Sequence, residues 1–306
     1  MTKEKNQKNK SRKSRFILWA LIIVVVGGFI FYIWQNNYRS LVPPREGLSP
    51  DMVFSEDKIN VLIVGKDVAD SGSSNEGGRA DTIIIVSVDL VEKSMFLLSV
   101  PRDTLVDIPG RGKDKINHSY FFGGIDLLTQ CVEKLLNVPV DYYAITDFLG
   151  FKDIVDTLGG VVIDVDKKMY YHTYDGVIDI EAGLQRLDGD LALQYVRYRH
   201  DPLGDITRTQ RQQNFLLSLA REIMAKENIG KLSRVIPKIR ETIDTDLTTG
   251  ELAKLAVLFS GMGIESLASD TLPGDFATIK NISYWQPRMK EIQEIVQREF
   301  GDSMPE

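Results

Sequence analysis

Three apolar runs decide the fold: Ile59-Asn60-Val61-Leu62-Ile63-Val64, Thr82-Ile83-Ile84-Ile85-Val86-Ser87-Val88 and Met95-Phe96-Leu97-Leu98-Ser99-Val100. Each has the length of a strand, and the runs are rich in β-branched residues. Continuous apolar runs are typical of strands that helices cover on both faces, because neither side of such a strand faces water. We therefore expect the three runs to pair in a mixed central sheet.

Helical periodicity and turn signals follow these runs along the chain. Gly159-Gly160 stops one predicted helix before a strand at residues 161–165, and Thr248-Thr249-Gly250-Glu251 is a capping box that starts another. The predicted helices span residues 125–136, 148–158, 212–225, 229–243, 248–259 and 286–300, with a closing strand near residues 276–282. The alternation predicts an α/β fold, a three-layer α-β-α sandwich with a mixed central sheet, as one domain over residues 58–306.

The N-terminal region predicts a membrane anchor. Residues 16–34 contain no charged side chain and are long enough to cross a bilayer as a helix. Residues 1–15 contain seven basic residues and one acidic residue, so the positive-inside rule keeps this tail in the cytoplasm and the domain outside the cell. A cleaved signal peptide is the alternative, but the long apolar stretch without a small-x-small cleavage pattern favours an uncleaved, single-pass type II anchor. Residues 35–57, rich in proline, are the predicted linker.

Charge and cysteine usage narrow the function classes. The whole chain has a formal charge of -6 and the tail contributes +6, which leaves -12 on residues 16–306. Proteins that bind nucleic acid need a basic stripe to neutralise phosphates, so we expect no nucleic-acid partner. Cys131 is the only cysteine, which precludes an internal disulfide, and its apolar setting in residues 127–132 predicts a packed thiol in the core.

A short basic segment stands out in this acidic chain, since residues 197–211 hold four arginines: Arg197, Arg199, Arg208 and Arg211. The first two extend an alternating run over residues 193–199, so strand geometry would place both on one face. Arg208, Arg211 and Gln212 have helical spacing. Two clusters could thus converge on one phosphate group, because guanidinium donates paired hydrogen bonds to phosphate and stays charged. The alternative is a surface network of salt bridges.

Two aspartates lie at the ends of predicted strands. Asp67 follows the first strand and Asp81 opens the second. Because parallel strands present their ends at one edge of a sheet, where ligands of open α/β folds bind, the two carboxylates could hold a divalent cation beside a phosphate. The glycine- and serine-rich loop of residues 68–78 could reshape around a substrate. The alternative is that each aspartate only caps a strand end or forms a turn.

Other polar residues give weaker signals. Arg102 directly follows the third strand and could join the same anion site. Lys115-Ile116-Asn117-His118 precedes Gly123-Gly124, which predicts a loop that enters a helix N-terminus and could hold negative charge. His118 alone is more typical of a structural histidine, and the sequence has no zinc-ligand pattern. It also has no Walker loop, no nucleophile elbow and no dinucleotide fingerprint.

The ordered set of segments resembles the LytR-CpsA-Psr family. The resemblance covers most of residues 58–225 and rests on these segments: Asn60-Val61-Leu62-Ile63-Val64-Gly65-Lys66-Asp67, Arg79-Ala80-Asp81-Thr82, Ser99-Val100-Pro101-Arg102-Asp103-Thr104, Lys115-Ile116-Asn117, Leu158-Gly159-Gly160-Val161, Tyr195-Val196-Arg197-Tyr198-Arg199 and Arg211-Gln212-Gln213. A single anchor with an outer domain also agrees with that family. The sequence departs from the usual pattern at Thr207, where glycine commonly precedes the arginine, and this departure affects the expected backbone turn rather than the charge of the segment.

The resemblance implies a phosphotransferase that moves an anionic glycopolymer, such as a teichoic acid or a capsular polysaccharide, from a polyprenyl pyrophosphate carrier to a muramic-acid hydroxyl of peptidoglycan. In such chemistry the protein mainly positions reactants and neutralises charge. By motif position, Asp67 and Asp81 would hold Mg²⁺ or Mn²⁺, and Arg102, Asp205 and Arg208 would be catalytic, with Asp205 as the base. The residues expected to bind the pyrophosphate are Arg79, Arg102, Arg197, Arg199, Arg208 and Gln212.

The carrier's isoprenoid chain also needs an apolar surface. The resemblance implies a tunnel between sheet and helices, for which the candidates are Phe148, Phe151, Val155, Phe215, Leu216 and Leu219, although ordinary core packing explains them equally well. Two other functions stay open: a membrane regulator of the transcription-attenuator type without catalysis, and a lipid-pyrophosphate hydrolase in which water attacks at the same site. The acidic outer domain and the short cytoplasmic tail argue against the regulator.

Overall fold

The computed structural model describes residues 57–67, 79–173, 176–200, 205–260 and 263–300. The predicted tail and membrane span, and the loop of residues 68–78, lie outside this part of the chain. All of the described residues belong to one compact unit. Within the described residues, no helix is both long and apolar enough to cross a bilayer.

Strands and helices alternate along the domain. The strands are β1 (Lys58–Asp67), β2 (Arg79–Asp89), β3 (Ser94–Ser99), β4 (Leu105–Ile108), β5 (Gly112–Lys115), β6 (Tyr142–Thr146), β7 (Val161–Val165), β8 (Met169–Thr173), β9 (Gly176–Ile180), β10 (Gly183–Leu187), β11 (Asp244–Thr245), β12 (Leu267–Thr271), β13 (Gly274–Ile279) and β14 (Ile282–Pro287). The α-helices are α1 (Ile116–Leu136), α2 (Phe148–Leu158), α3 (Gly189–Arg197), α4 (Asp205–Met224), α5 (Leu232–Thr242), α6 (Thr249–Ser260) and α7 (Met289–Glu299), with 3₁₀ turns at Lys226–Lys231 and Ile264–Ser266.

The central sheet is mixed, as predicted. Its strand order is β11-β6-β1-β2-β3-β12. β1 pairs antiparallel with β2 and parallel with β6, while β3 pairs antiparallel with β2 and parallel with β12. The three apolar runs therefore form the adjacent strands β1, β2 and β3 at the middle of the sheet.

Alternating side chains of these strands feed two cores on opposite faces of the sheet. From β1, Leu62 and Val64 pack in a cluster with Leu128 of α1 and Ile292 of α7. Ile59 and Val61 face the other way, in a cluster that includes residues of α4 and α6. Cys131 belongs to the first cluster and is 1% exposed, so the predicted packed thiol is confirmed. Helices thus cover both faces, which explains why the strand sequences are apolar throughout.

Helix starts and stops follow the sequence signals closely in two places. α2 begins after Asp147, whose side chain accepts a hydrogen bond from the Gly150 amide, and ends at Gly159 in the left-handed conformation (φ 87°). At α6 the capping box is confirmed: the Thr248 amide donates to Glu251 Oε2 (2.7 Å) and the Glu251 amide donates to Thr248 Oγ1 (3.2 Å). Local hydrogen bonding decides both boundaries, so both could be predicted from sequence.

The closing strand predicted near residues 276–282 is confirmed for residues 276–279, which belong to β13, whereas Lys280 and Asn281, both with positive φ, turn the chain into β14. This hairpin is separate from the central sheet, whose edge strand on that side of the sequence is β12. A loop predicted from the sequence was wrong. The expected loop before Gly123-Gly124 is helical, since α1 already begins at Ile116. The two glycines only break this helix, with non-helical backbone angles at both positions.

Candidate active site

A cavity of about 460 Å³ lies where the end of β1 and the start of β2 face helices α2, α3 and α4. β1 contributes Lys66 and β2 contributes Asp81 to its lining. The two strand ends meet because β1 and β2 are antiparallel, with Asp67 opposite Arg79. The backbones of Asp67 and Asp81 do lie at the same edge of the sheet, as predicted. The reason given for it was wrong, because the two strands are antiparallel and not parallel. The side chain of Asp67 lies outside the described part of the structure.

Asp81 is the acidic centre of the cavity. Arg102, which follows β3, donates from Nη1 to Asp81 Oδ1 at 2.7 Å, and Arg199 Nη2 lies 4.0 Å from Asp81 Oδ2. The Asp81 and Arg102 side chains are only 20% and 24% exposed. The Asn117 amide donates to the carbonyl of Arg102 (3.2 Å), which holds this arginine against the start of α1. Arg102 is not among the residues that line the cavity, and what connects it to the site is its ion pair with Asp81.

Arg197 and Arg199 both line the cavity, but they do not lie on a strand. Residues 189–197 form α3, whose N-cap Asp188 accepts a hydrogen bond from the Leu191 amide, so the strand predicted over residues 193–199 was wrong. Tyr198 has extended angles (φ -62°, ψ 128°) and is buried. Because one extended residue separates Arg197 from Arg199, their side chains lie on the same side of the chain. The prediction that the two arginines share one face is therefore correct, although the predicted strand is not.

The helical spacing predicted for Arg208, Arg211 and Gln212 is confirmed on α4, although the three residues have different surroundings. Arg208 and Gln212 line the cavity. Arg211 instead donates from Nη1 to the Tyr198 carbonyl (3.1 Å), and its guanidinium lies 5.1 Å from the centre of the Tyr198 ring. Arg208 and Arg211 are each 3% exposed. Asp205 is the first residue of α4, and its side chain lies outside the description.

Two further candidates lie away from the cavity lining. Arg79 is exposed at the first residue of β2. His118 bonds Asp114 through Nδ1 (2.8 Å) on the helical segment after β5, so this region does not form the predicted anion-binding loop. Asp114, although burial opposes the shift, has a lowered pKa because His118 and the Lys115 amide bond its carboxylate. This pair fits the structural reading of His118.

The apolar wall of the cavity contains four of the six tunnel candidates. Phe148, Phe151, Phe215 and Leu216 line the cavity, with the rings of Phe151 and Phe215 in contact at 4.8 Å between centroids. The guanidinium of Arg197 lies 4.8 Å from the centre of the Phe148 ring, where the basic and apolar parts meet. Val155 and Leu219 pack in the adjacent core instead.

Sequence reasoning missed several lining residues: Lys66, Asp147, Tyr171, His172 and His200. Tyr171 of β8 stacks on His200 with 4.5 Å between ring centroids. The β8–β9 hairpin has no feature in sequence that ties it to the arginine segment, because their contact joins parts of the chain about thirty residues apart. Lys66 had a usable signal, since it stands between Gly65 and Asp67 at the end of a predicted strand.

The oxygen donors for a cation are sparse within the described residues. No group of three or more histidine, cysteine, aspartate or glutamate side chains gathers there in a metal-binding arrangement. Asp81 has its Oδ1 bonded to Arg102, while Oδ2 is 4.0 Å from the nearest Arg199 nitrogen. The hydroxyl-bearing residues Thr82 and Thr146 line the same cavity. These hard oxygen donors fit Mg²⁺ or Mn²⁺ better than a soft metal.

Comparisons with known proteins identify one family, whose members carry the names of regulators and of transferases. The model of the LytR_cpsA_psr family matches residues 40–300. Regulatory protein MsrR of Staphylococcus aureus (strain COL) is 36% identical over 223 residues, which cover 72% of this chain and 66% of MsrR. Polyisoprenyl-teichoic acid–peptidoglycan teichoic acid transferase TagU of Enterococcus faecalis is 32% identical over 302 residues, 94% of this chain and 97% of TagU. The crystal structure of B. subtilis TagV matches with a TM-score of 0.73 at 29% identity, covering 82% of this chain and all of that one.

Proposed function

The chain belongs to the LytR_cpsA_psr family, and we propose that it transfers an anionic glycopolymer of the teichoic-acid or capsular type from a polyprenyl pyrophosphate carrier to a muramic-acid hydroxyl of peptidoglycan. One observation carries the proposal: a single cavity joins the arginines Arg197, Arg199 and Arg208 to an apolar wall that includes Phe151 and Phe215. A pyrophosphate attached to a hydrocarbon chain needs both surfaces side by side. The name of the E. faecalis relative TagU describes the same type of donor and acceptor.

The polar end suits a pyrophosphate. Arg199 and Arg208 present planar donor groups to the cavity, and Gln212 adds an amide one helical turn from Arg208. Charge-assisted hydrogen bonds from guanidinium to phosphate are about twice as strong as neutral ones. Arg208 is almost fully buried, so water screens its charge little. These groups would stabilise the charge that moves onto the departing phosphate during transfer.

The transfer itself makes and breaks one bond each at phosphorus. The acceptor hydroxyl oxygen bonds to the phosphorus next to the sugar, and the bond from that phosphorus to the oxygen of polyprenyl phosphate breaks. The hydroxyl proton goes to a base, for which we propose Asp205 at the start of α4, three residues before Arg208. The protein's main contributions are positioning and charge neutralisation.

We also propose that the site uses Mg²⁺ or Mn²⁺, held by Asp81 and Asp67. The cation would neutralise charge on the two phosphates. Asp81 already faces the cavity with Oδ1 fixed by Arg102, so one carboxylate oxygen is oriented before any cation binds. Asp67 is placed at the same edge by its backbone pairing with Arg79.

The location proposed for the chain is the cell membrane, with the domain on the outer side. This rests on the uncharged residues 16–34 after a basic tail. Protease added to intact protoplasts should digest the domain, and the fragment that remains should be the short N-terminal tail with its span. A domain that stays protected until lysis would contradict this topology.

A transfer assay tests the main proposal. The full chain is incubated with a polyprenyl pyrophosphate-linked saccharide, Mg²⁺ and a peptidoglycan oligosaccharide, and the expected products are glycan-bound saccharide phosphate and polyprenyl phosphate. Polyprenyl phosphate released at the same rate without acceptor would indicate the hydrolase. No product with either water or glycan would favour a regulator, which the name of the S. aureus relative MsrR suggests.

A further inference from the structure

Arg102 lies in a tight turn between β3 and β4. The Thr104 amide and the Thr104 hydroxyl both donate to the Pro101 carbonyl, at 2.9 and 2.6 Å, which closes the turn around Arg102 and Asp103. Thr104 is fully buried, so its corner of the turn lies inside the domain. The Arg102 side chain extends from this turn to Asp81 Oδ1 (2.7 Å). The position of the guanidinium therefore depends on how firmly the turn is held.

Every backbone carbonyl of this turn accepts a hydrogen bond. Two of the donors are amides at the start of α1 and one is an amide of β14, and the bonds that they make are Asn117 to Arg102 (3.2 Å), Ile116 to Thr104 (2.8 Å) and Trp285 to Asp103 (2.9 Å). The remaining carbonyl, of Pro101, is the one that Thr104 bonds. A segment whose carbonyls are all paired cannot move without breaking one of these bonds. Trp285 is the donor furthest along the chain, and it belongs to the C-terminal β13–β14 hairpin.

The indole of Trp285 is itself fixed by three contacts. Its Nε1 donates to the Leu272 carbonyl (3.0 Å), and its ring meets the Phe276 ring edge to face with 5.2 Å between centroids. Gly274 lies directly against it, because a Cβ at that position would be 2.5 Å from Nε1. Leu272 is fully buried, and its amide donates to the carbonyl of Ser99, the last residue of β3 (2.9 Å). The indole therefore ties β14 to the end of β3, from which the turn begins.

We propose that Trp285 is a positioning residue for Arg102. It acts through the Asp103 carbonyl: the indole bond keeps the β14 backbone in place, and this backbone holds the turn that presents Arg102 to Asp81. Hydrogen bonds require close and nearly linear contact, so a shift of about 1 Å at a guanidinium removes much of its bond to phosphate. Trp285 does not line the cavity, so it affects a ligand through Arg102 and not by direct contact. The inference rests on the proposed function only in taking Arg102 as part of the pyrophosphate site.

The test measures the affinity of the full chain for inorganic pyrophosphate with Mg²⁺ by calorimetry. Trp285→Phe keeps the backbone amide but removes the bond to the Leu272 carbonyl, and it should bind pyrophosphate roughly fivefold more weakly than the wild type. Phe276→Ala, at a position 67% exposed, loosens the same indole with little effect on folding and should weaken binding in the same direction. The matched control is Ile282→Ala, at an exposed position beside the turn of the same hairpin, which should bind like the wild type.

A double-mutant cycle separates positioning from a general loosening of the domain. Arg102→Ala should weaken binding, and adding Trp285→Phe to it should weaken binding no further, because the indole acts through the guanidinium. A residue with a merely structural role would lower the affinity by the same factor in both backgrounds. Such equal factors, or a Trp285→Phe protein that binds like the wild type, would overturn the inference.

The same measurement distinguishes this inference from the proposed function. A wild-type chain that binds no pyrophosphate would contradict the proposed head-group site, and the inference with it. Binding by the wild type without coupling between Trp285 and Arg102 would overturn the inference alone. The solutions contain no carrier lipid or glycan, so the result is independent of whether the cavity transfers a glycopolymer.

Discussion

At the scale of single residues, Arg208 and Arg211 are equally buried but have different surroundings and different roles. Both lie on α4 and both are 3% exposed, yet Arg208 lines the cavity and Arg211 bonds the Tyr198 carbonyl. We predict that Arg208→Lys lowers transfer roughly 100-fold, because lysine cannot present a planar donor pair to phosphate. Arg211→Lys should instead lower the free energy of unfolding by about 1–3 kcal/mol, since a buried ammonium replaces the planar guanidinium that bonds the Tyr198 carbonyl and lies against the Tyr198 ring.

Transfer rates and urea unfolding, measured on both variants, check this pair of predictions. The interpretation requires Arg208→Lys to unfold near the wild-type midpoint. If Arg208→Lys unfolded early while Arg211→Lys lost transfer without losing stability, the two roles would have to be exchanged. Sequence spacing placed the two arginines on one helix, but only the position of Tyr198 separates their functions.

Asp81 gives the second prediction at this scale. We expect Asp81→Asn to lower transfer roughly 100-fold or more, because the neutral amide no longer attracts a cation or orients Arg102. The free energy of unfolding should change by no more than about 1 kcal/mol, since the ion pair with Arg102 is partly open to solvent. Asp107→Asn is the matched control, as Asp107 pairs with Lys134 on the exposed surface. Wild-type transfer by Asp81→Asn, or its wholesale unfolding, would assign this residue to structure alone.

At the scale of elements, the break in α1 is the clearest case of backbone geometry that requires glycine. Gly124 has φ 63° and ψ -153°, a combination that side-chain-bearing residues rarely adopt. We predict that Gly124→Ala lowers the free energy of unfolding by about 1–3 kcal/mol. Gly230→Ala is the control, because a methyl group there meets open space and its φ lies outside the left-handed range.

Thermal unfolding of the two variants decides the matter. A Gly124→Ala protein as stable as Gly230→Ala would mean that α1 continues through residues 123–124 without strain. The sequence marked this glycine pair but misjudged what precedes it, because Ile116 to Phe122 lacks an N-cap side chain that would signal a helix start. The strand predicted over residues 193–199 was wrong for a different reason. A short alternating run resembles a strand, and the signal that identifies α3 instead is the N-cap residue Asp188.

At the scale of the whole molecule, the sequence predicted the central sheet better than its edge. β1, β2 and β3 are buried on both faces, so their composition alone identifies them. β11 and β12 are short and only partly buried. Their positions depend on pairing with β6 and β3, and the local sequence pattern gives no signal for that pairing. The cavity shows the same difference between local and long-range features. Its arginines are close together in the sequence and could be predicted as a group, whereas Tyr171 meets them only in the folded domain.

The cavity as a whole predicts that the protein retains a lipid. A chain lacking residues 1–37, purified from cells that make polyprenyl carriers, should hold a polyprenyl phosphate or pyrophosphate with its head group near Arg102, Arg197, Arg199 and Arg208. Two effects act together in this cavity. Guanidinium contacts are strong where a site is partly dry, and each isoprene unit buried against Phe151, Phe215 and Leu216 removes apolar area from water.

Mass spectrometry of organic extracts from the wild type and from Arg197→Ala/Arg199→Ala checks this retention. The variant should remain folded, because Arg199 is exposed and Arg197 lies at the last residue of α3, and it should carry much less lipid. Arg186→Ala/Arg221→Ala is a matched control at exposed positions that do not line the cavity, and it should retain the lipid. Equal lipid in all three proteins would remove Arg197 and Arg199 from the head-group role. No lipid in any of them, even after carrier and Mg²⁺ are added, would favour a regulator. A cavity that binds no carrier cannot perform the proposed transfer, and its arginines would then form only a network of salt bridges.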